Sequence, residues 1–194
     1  MATIFESIKA GDIEAVRAAV KDDPSVAAAR DDDGRSAVRA ALYVHKQEIA
    51  DVLLEAKPEL DVFDASAAGD VDRLTELLDS DPDLIGAFSE DGYTPLHFAA
   101  FFDRGKALRL LLDRGADVGA VARNDMAVQP LHSAVAANSR EIVAALLTAG
   151  ADPNAKQQGG LTPLMAAEEK EEEGDMVRLL MDHGAEESAT APTE

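Results

Sequence analysis

The seven residues Thr94-Pro95-Leu96-His97-Phe98-Ala99-Ala100 constrain the fold more than any other stretch, because near-copies of them recur along the chain. Gln129-Pro130-Leu131-His132-Ser133-Ala134-Val135 and Thr162-Pro163-Leu164-Met165-Ala166-Ala167 follow at steps of 35 and 33 residues. A weaker relative, Ser36-Ala37-Val38-Arg39-Ala40-Ala41, precedes them. A repeat this short cannot bury its apolar face alone, so it predicts helical units stacked in a row, each covering its neighbour. Within the motif, Thr94 is placed to cap a helix, and Pro95 presets φ where no backbone donor is missed. Leu96, Ala99 and Ala100 form an apolar face whose small side chains permit close helix approach. His97 lies one turn from Thr94, within reach of the cap.

The motif and its period resemble the ankyrin repeat, a β-turn and two antiparallel helices built on T-P-L-H-x-A. Ala149-Gly150-Ala151-Asp152-Pro153-Asn154-Ala155 matches that family's G-A-D-x-N-A segment, and Ala116-Asp117 belongs to a weaker copy. The resemblance implies an all-α ankyrin-repeat solenoid of about six helix-turn-helix units with β-hairpin tips. The units fall at about 2–35, 36–59, 60–93, 94–128, 129–161 and 162–187, one stack over 2–187, with 188–194 as a frayed tail. The likeness is strong in the last three units. In the first three, only the helix spacing and the Gly-Asp turns remain.

Local signals agree with this division. Thr3 and Glu6 have capping-box spacing, Gly11-Asp12 makes a turn, and Asp23-Pro24 ends the second helix. Aligned on Thr94, Ser36 is followed by its equivalent at Leu60, only 24 residues later. About ten residues, the length of a hairpin loop, are missing. Lys57-Pro58-Glu59 is therefore expected to join two units directly, leaving a break in the row of tips. A shift of 58 residues explains the break. It lays Phe5 on Phe63, Gly11-Asp12 on Gly69-Asp70, Asp23-Pro24 on Asp81-Pro82 and Leu53-Leu54 on Leu111-Leu112 without a gap, as a duplicated two-repeat unit would. In the last unit, the acidic run from Glu168 to Glu173 stretches the inter-helix turn and suits a terminal, solvent-facing repeat.

Charge narrows the partners. The formal charge of −20, from 38 acidic and 18 basic residues, argues against nucleic acid, which requires clustered Lys and Arg. No apolar run approaches a membrane span and the N-terminus lacks signal-peptide features, so a soluble, cytoplasmic chain without a membrane role is expected. Cysteine is absent, which rules out disulfides and thiolate metal sites. Asp79, Asp81, Asp83 and Glu90 imitate a calcium loop, but Leu84 occupies the position that needs glycine, and Leu84-Ile85 should be core. His97 and His132 belong to the repeat motif, while His45 and His183 fall in turn and helix-end slots. No catalytic constellation, metal or cofactor is implied.

In ankyrin folds the hairpin tips and the open side of each first helix usually bind partners. The corresponding slots here hold Arg35, Tyr43 and Val44 in the second unit and Tyr93, Phe101 and Phe102 in the fourth. Alanines occupy them in the third and fifth units (Ala67, Ala68, Ala136, Ala137). Four of the chain's eight aromatic residues are thus in nominally exposed slots. Two readings follow: a docking patch, or rings folded into the gap left by the missing tip. The first predicts a non-enzymatic protein-binding module that uses Tyr43, Val44, Tyr93, Phe101 and Phe102. Tip residues Asp33, Arg35, Glu90 and Met126 would assist, against a protein partner with a basic rim. The alternative is an acidic inhibitor or polyanion mimic acting through charge. A monomer is expected, with a homodimer through the aromatic patch as the other possibility.

Overall fold

The computed structural model describes residues 3–170 and 174–187. The end of the acidic run (171–173) and the tail at 188–194 lie outside that range. The first helix, α1 (Ile4–Ala10), begins with the reciprocal cap its sequence announces. Glu6 N–H donates to Thr3 Oγ1 at 3.2 Å, and Thr3 N–H donates to the Glu6 carboxylate at 2.7 Å. Gly11 then turns the chain at φ 73°, and the Asp12 carboxylate caps α2 (Ile13–Asp22) through Ala15 N–H. The pairs that follow are α3 (Ala37–Tyr43) with α4 (Gln47–Glu55) and α5 (Val62–Ala68) with α6 (Val71–Ser80). Next come α7 (Pro95–Phe101) with α8 (Gly105–Asp113), α9 (Pro130–Ala136) with α10 (Arg140–Thr148), and α11 (Pro163–Glu168) with α12 (Asp175–Asp182). Short 3-10 turns at Pro24–Ala28, Pro82–Gly86 and Gln158–Gly160 lead into the tips.

Odd-numbered helices pack side by side as an inner row, and even-numbered helices form an outer row behind them. The inner row is close because its contact residues are small: Ala65, Ala67, Ala99, Ala100 and Ala134 are wholly buried. Behind them, Leu53, Leu74, Leu108, Leu111, Ile142 and Leu146 fill the space between rows, within one apolar cluster that runs from Ile8 to Ala185. Cations close the ends of three inner helices. Lys46 lies over Gly11 after α1, Arg104 Nε donates to Ala67 O of α5 at 2.8 Å, and Lys170 Nζ donates to Val135 O and Ala136 O of α9. Arg104 and Lys170 thus place positive charge against carbonyls at helix C-termini.

The tips are tight turns, not ladders. Asp31 N–H to Arg35 O, Ser89 N–H to Tyr93 O, Ala122 N–H to Val128 O and Gln157 N–H to Leu161 O close them. Among the described residues the one β-type pairing is an isolated antiparallel bridge between Arg30 and Ser36. Neighbouring tips also touch: Arg123 N–H donates to Gly92 O at 2.8 Å and Gln158 N–H to Met126 O at 3.0 Å.

The expected break is present. From α4 the chain passes through Lys57, at φ 52°, and Pro58 straight to α5, with no tip between. The cap of α5 is Asp61, one residue beyond the alignment on Leu60, and its carboxylate receives Asp64 N–H at 2.7 Å. The 58-residue shift carries the limits of α1 through α4 onto those of α5 through α8 residue for residue. It also carries Asp23 (φ −144°, ψ 97°) onto Asp81 (φ −144°, ψ 94°).

At the break a different device replaces the tip. In the fourth unit, Thr94 is the N-cap of α7, in a capping box completed by the His97 side chain. Its hydroxyl lies 2.8 Å from His97 Nδ1, which also receives Thr94 N–H, and His97 Nε2 reaches Val128 O in the next tip at 3.0 Å. Arg39 occupies the matching position in the second unit, where no following tip offers a carbonyl. It turns instead to α5, its Nε 2.7 Å from Asp64 Oδ1. Asp64 also accepts from Ser36 Oγ at 2.7 Å and from Arg30 at 3.2 Å, and Arg30 pairs with Asp61 at 2.8 Å. Arg39 and Asp64 are both fully enclosed, with side-chain exposures of 4% and 1%.

Candidate functional site

Two local facts bring the concave-slot aromatics together. The missing tip lets the turn at 31–35 lie beside the turn at 89–93, where the Glu90 carboxylate covers Gly34 and Tyr43 Oη reaches Asp91 at 3.4 Å. Between α3 and α7, helix α5 ends in Ala67 and Ala68 and leaves a trough. Rings from the flanking helices meet over it. Tyr43 lies 5.9 Å from Phe101 and 5.1 Å from Phe102, and Phe101 meets Phe102 edge-to-face at 5.1 Å. The cluster continues inward through Phe98 to Phe63 and outward to Tyr93. Arg35 caps the Tyr43 ring at 5.0 Å and Arg39 the Phe98 ring at 5.2 Å. Such contacts are each worth about 0.5–2 kcal/mol.

Phe101 and Phe102 are therefore both half-buried, held by each other and by Tyr43. The two sequence readings merge, since the rings bridge the gap and still present edges to solvent. Burial, and then the nearby Asp91 carboxylate, push the Tyr43 phenol above its ordinary range, so it stays neutral near pH 7.

Tyr43, Tyr93, Phe101 and Met126 line one concave pocket of about 430 Å³, with Phe98 and His97 at its base. Met126 is 55% exposed, and its sulfur lies 3.6 Å from Tyr93 Oη. The remaining slot residues are elsewhere. Phe102 points into a second depression beside Leu42, His45 and Arg104. Val44 is exposed at the end of α3, Arg35 stacks on the outside of Tyr43, exposed Glu90 lies over Gly34, and Asp33 stands free on its tip.

The far wall comes from residues the sequence reading did not assign to the site: His132 and Ser133 of α9, Ala166 of α11, and Glu169 and Lys170 just after it. A signal for the last two existed. Counting seven and eight residues from Thr162, as from Thr94 to Phe101 and Phe102, lands on Glu169 and Lys170.

The pocket histidines are poor acids or bases at neutral pH. Burial lowers His97 to about 4, against its bond to Val128 O, and burial lowers His132 as well. The backbone tie at His132 survives the replacement of threonine by glutamine, with Gln129 N–H donating to Nδ1 at 3.2 Å. Gln129 Oε1 and His132 Nε2 make no hydrogen bond of good geometry. Among the described residues, no group of acids and histidines is arranged to hold a metal ion, and no helix is long and apolar enough to cross a membrane.

Comparison with known proteins places this geometry in a family. A model for ankyrin repeats in three copies matches residues 62–157 and 124–191. Drosophila melanogaster Neurogenic locus Notch protein is 37% identical over 95 residues, which is 48% of this chain and 3% of that one. The probable E3 ubiquitin-protein ligase XBOS31 of Oryza sativa is 39% identical over 95 residues, covering 48% and 21%. The ankyrin repeat, SAM and basic leucine zipper domain-containing protein 1 of Callithrix jacchus is 36% identical over 107 residues, covering 53% and 22%. These relatives are all much longer than the segment they share. With stacked helix pairs, capped T-P-L-H turns and a matching model across the last four pairs, the chain belongs to the ankyrin-repeat family.

Proposed function

We propose that this protein is a non-enzymatic binding module that receives an apolar side chain of a protein partner in the pocket between Tyr43 and Lys170. Ankyrin repeats are protein–protein interaction modules, which gives the class of activity. The observation that carries the finer reading is the composition of the pocket. Two tyrosines, two phenylalanines and a methionine converge there in a chain with only eight aromatic residues. Half-buried aromatics rimmed by polar groups are the usual make-up of an interaction hot spot. Exposed Glu169 lines the pocket, and it, with exposed Asp33 and Glu90 on the tips, would steer a partner whose rim is basic. On this reading residues 2–187 act as one interaction unit and the protein works as a monomer.

The net charge of −20 favours a second reading, an acidic inhibitor that imitates a polyanion and binds through charge alone. Met126→Asp separates the two. Because Met126 is exposed, the substitution leaves the fold intact while placing a charge at the mouth of the pocket. The hot-spot reading expects partner capture from cell extract to be lost at 150 mM salt, and wild-type capture to survive 500 mM. Undiminished capture by Met126→Asp, together with loss of wild-type capture in high salt, leaves the charge reading standing.

A further inference from the structure

The pocket carries one chemically reactive wall. The chain has no cysteine, so its methionine thioethers are the sulfur groups open to oxidation. Met126 is 55% exposed, while Met176 is 4% exposed within the core. Its sulfur is also held in place, accepting a contact from Tyr93 Oη at 3.6 Å. The backbone beneath is fixed at both ends, with Met126 N–H donating to Asn124 Oδ1 at 3.0 Å and Met126 O accepting from Gln158 N–H at 3.0 Å.

We propose that Met126 is a modification site, oxidised by hydrogen peroxide to the sulfoxide, and that this sets the polarity of the pocket. A sulfur lone pair attacks one peroxide oxygen, and the S–O bond forms as the O–O bond breaks. The sulfur gives up two electrons, and the transferred oxygen's proton passes to the departing hydroxide. One sulfoxide and one water result. The product replaces a soft apolar group with a strong acceptor directly opposite the Tyr93 hydroxyl, so the phenol becomes its donor. An apolar wall turns polar, and the Tyr93 ring is drawn toward it. Reduction by thiol-dependent methionine sulfoxide reductases restores the thioether.

The protein reports this change itself. It has no tryptophan, and both of its tyrosines, Tyr43 and Tyr93, line this pocket. Met181, 44% exposed on α12, supplies a comparably accessible control that does not line it. The experiment treats the folded chain with hydrogen peroxide, follows each methionine by peptide mass spectrometry and records tyrosine emission in parallel. The Met126 sulfoxide is expected on the order of tenfold faster than that of Met176. The emission change should track Met126, persist in Met181→Leu, vanish in Met126→Leu and reverse when reductases for both sulfoxide epimers are added. Oxidation of Met126 no faster than Met176, or an unchanged emission at full Met126 oxidation, overturns the proposal. So does an equal emission change in Met126→Leu. No partner enters this test, so it stands or fails separately from the proposed binding function.

Discussion

Replacing Asp64 with alanine tests the claim that a buried ionic network stands in for the missing tip. The substitution strands the Arg39 guanidinium, which is 4% exposed and loses a contact of 2.7 Å. It also removes the acceptor of the Ser36 hydroxyl and one of the two carboxylate partners of Arg30. Breaking a buried pair from one side costs about 3–5 kcal/mol, and an orphaned hydroxyl about 1 more. Arg39 keeps the faces of Phe98 and Phe63 and a bond of 3.3 Å to Gly34 O, which return about 1 kcal/mol. Arg30, 40% exposed and still paired with Asp61, contributes little. The expected net loss is about 3–5 kcal/mol.

The double variant Arg39→Met, Asp64→Ala should behave differently. Burial, and then Asp61, push the Asp64 carboxyl up, against Arg39, Ser36 and Arg30, which pull it down. The pair therefore spends in desolvation much of what it gains in attraction, and removing both charges should recover at least about 2 kcal/mol. Urea unfolding followed by circular dichroism at 222 nm measures both. A loss under about 1 kcal/mol in the single variant, or a double variant no more stable than the single, would refute the reasoning.

Other parts of the stack are equally open to test. Gly92 and Gly115 share a left-handed backbone, at φ 84° and 85°, but a Cβ at Gly92 would meet Arg123 O at 2.6 Å while one at Gly115 meets open space. Gly115→Ala should cost about 1 kcal/mol and Gly92→Ala distinctly more, and equal melting temperatures would show that the tips do not dock. His97 has a folded pKa of about 4, below its ordinary 6.5, chiefly through burial. Its neutral form thus contributes stability that is complete above pH 6.5 and lost as pH falls toward 4. Unfolding midpoints should drop across that window in the wild type, and more shallowly in His97→Gln; parallel slopes would show that His97 does not couple folding to pH there.

Much of the architecture was legible in the residues. Thr3 with Glu6, Gly11-Asp12 and Asp23-Pro24 mark helix ends by local chemistry that needs no tertiary context, and the structure uses each as written. The duplication was legible for the same reason, because identical local signals repeated at a fixed step fold into identical elements. The slot rule also selected Tyr43, Tyr93 and Phe101, which do share a pocket. It did not distinguish Phe102, which lines a second depression, or Glu90, which lies over Gly34 outside the pocket.

Sequence alone determined the helix pairs, their order, the place where a tip is absent and the family to which they belong, since all of these are set by neighbours along the chain. Only the tertiary structure decided that Tyr43 would touch Phe101 across an intervening helix, that Arg39 would exchange a carbonyl for Asp64, and that Lys170 would close the pocket begun by Tyr43. Those contacts join residues far apart in number. Their formation depends on how closely the alanine-lined inner helices approach and how neighbouring units pack where the tip is missing, and neither is encoded in a periodic pattern.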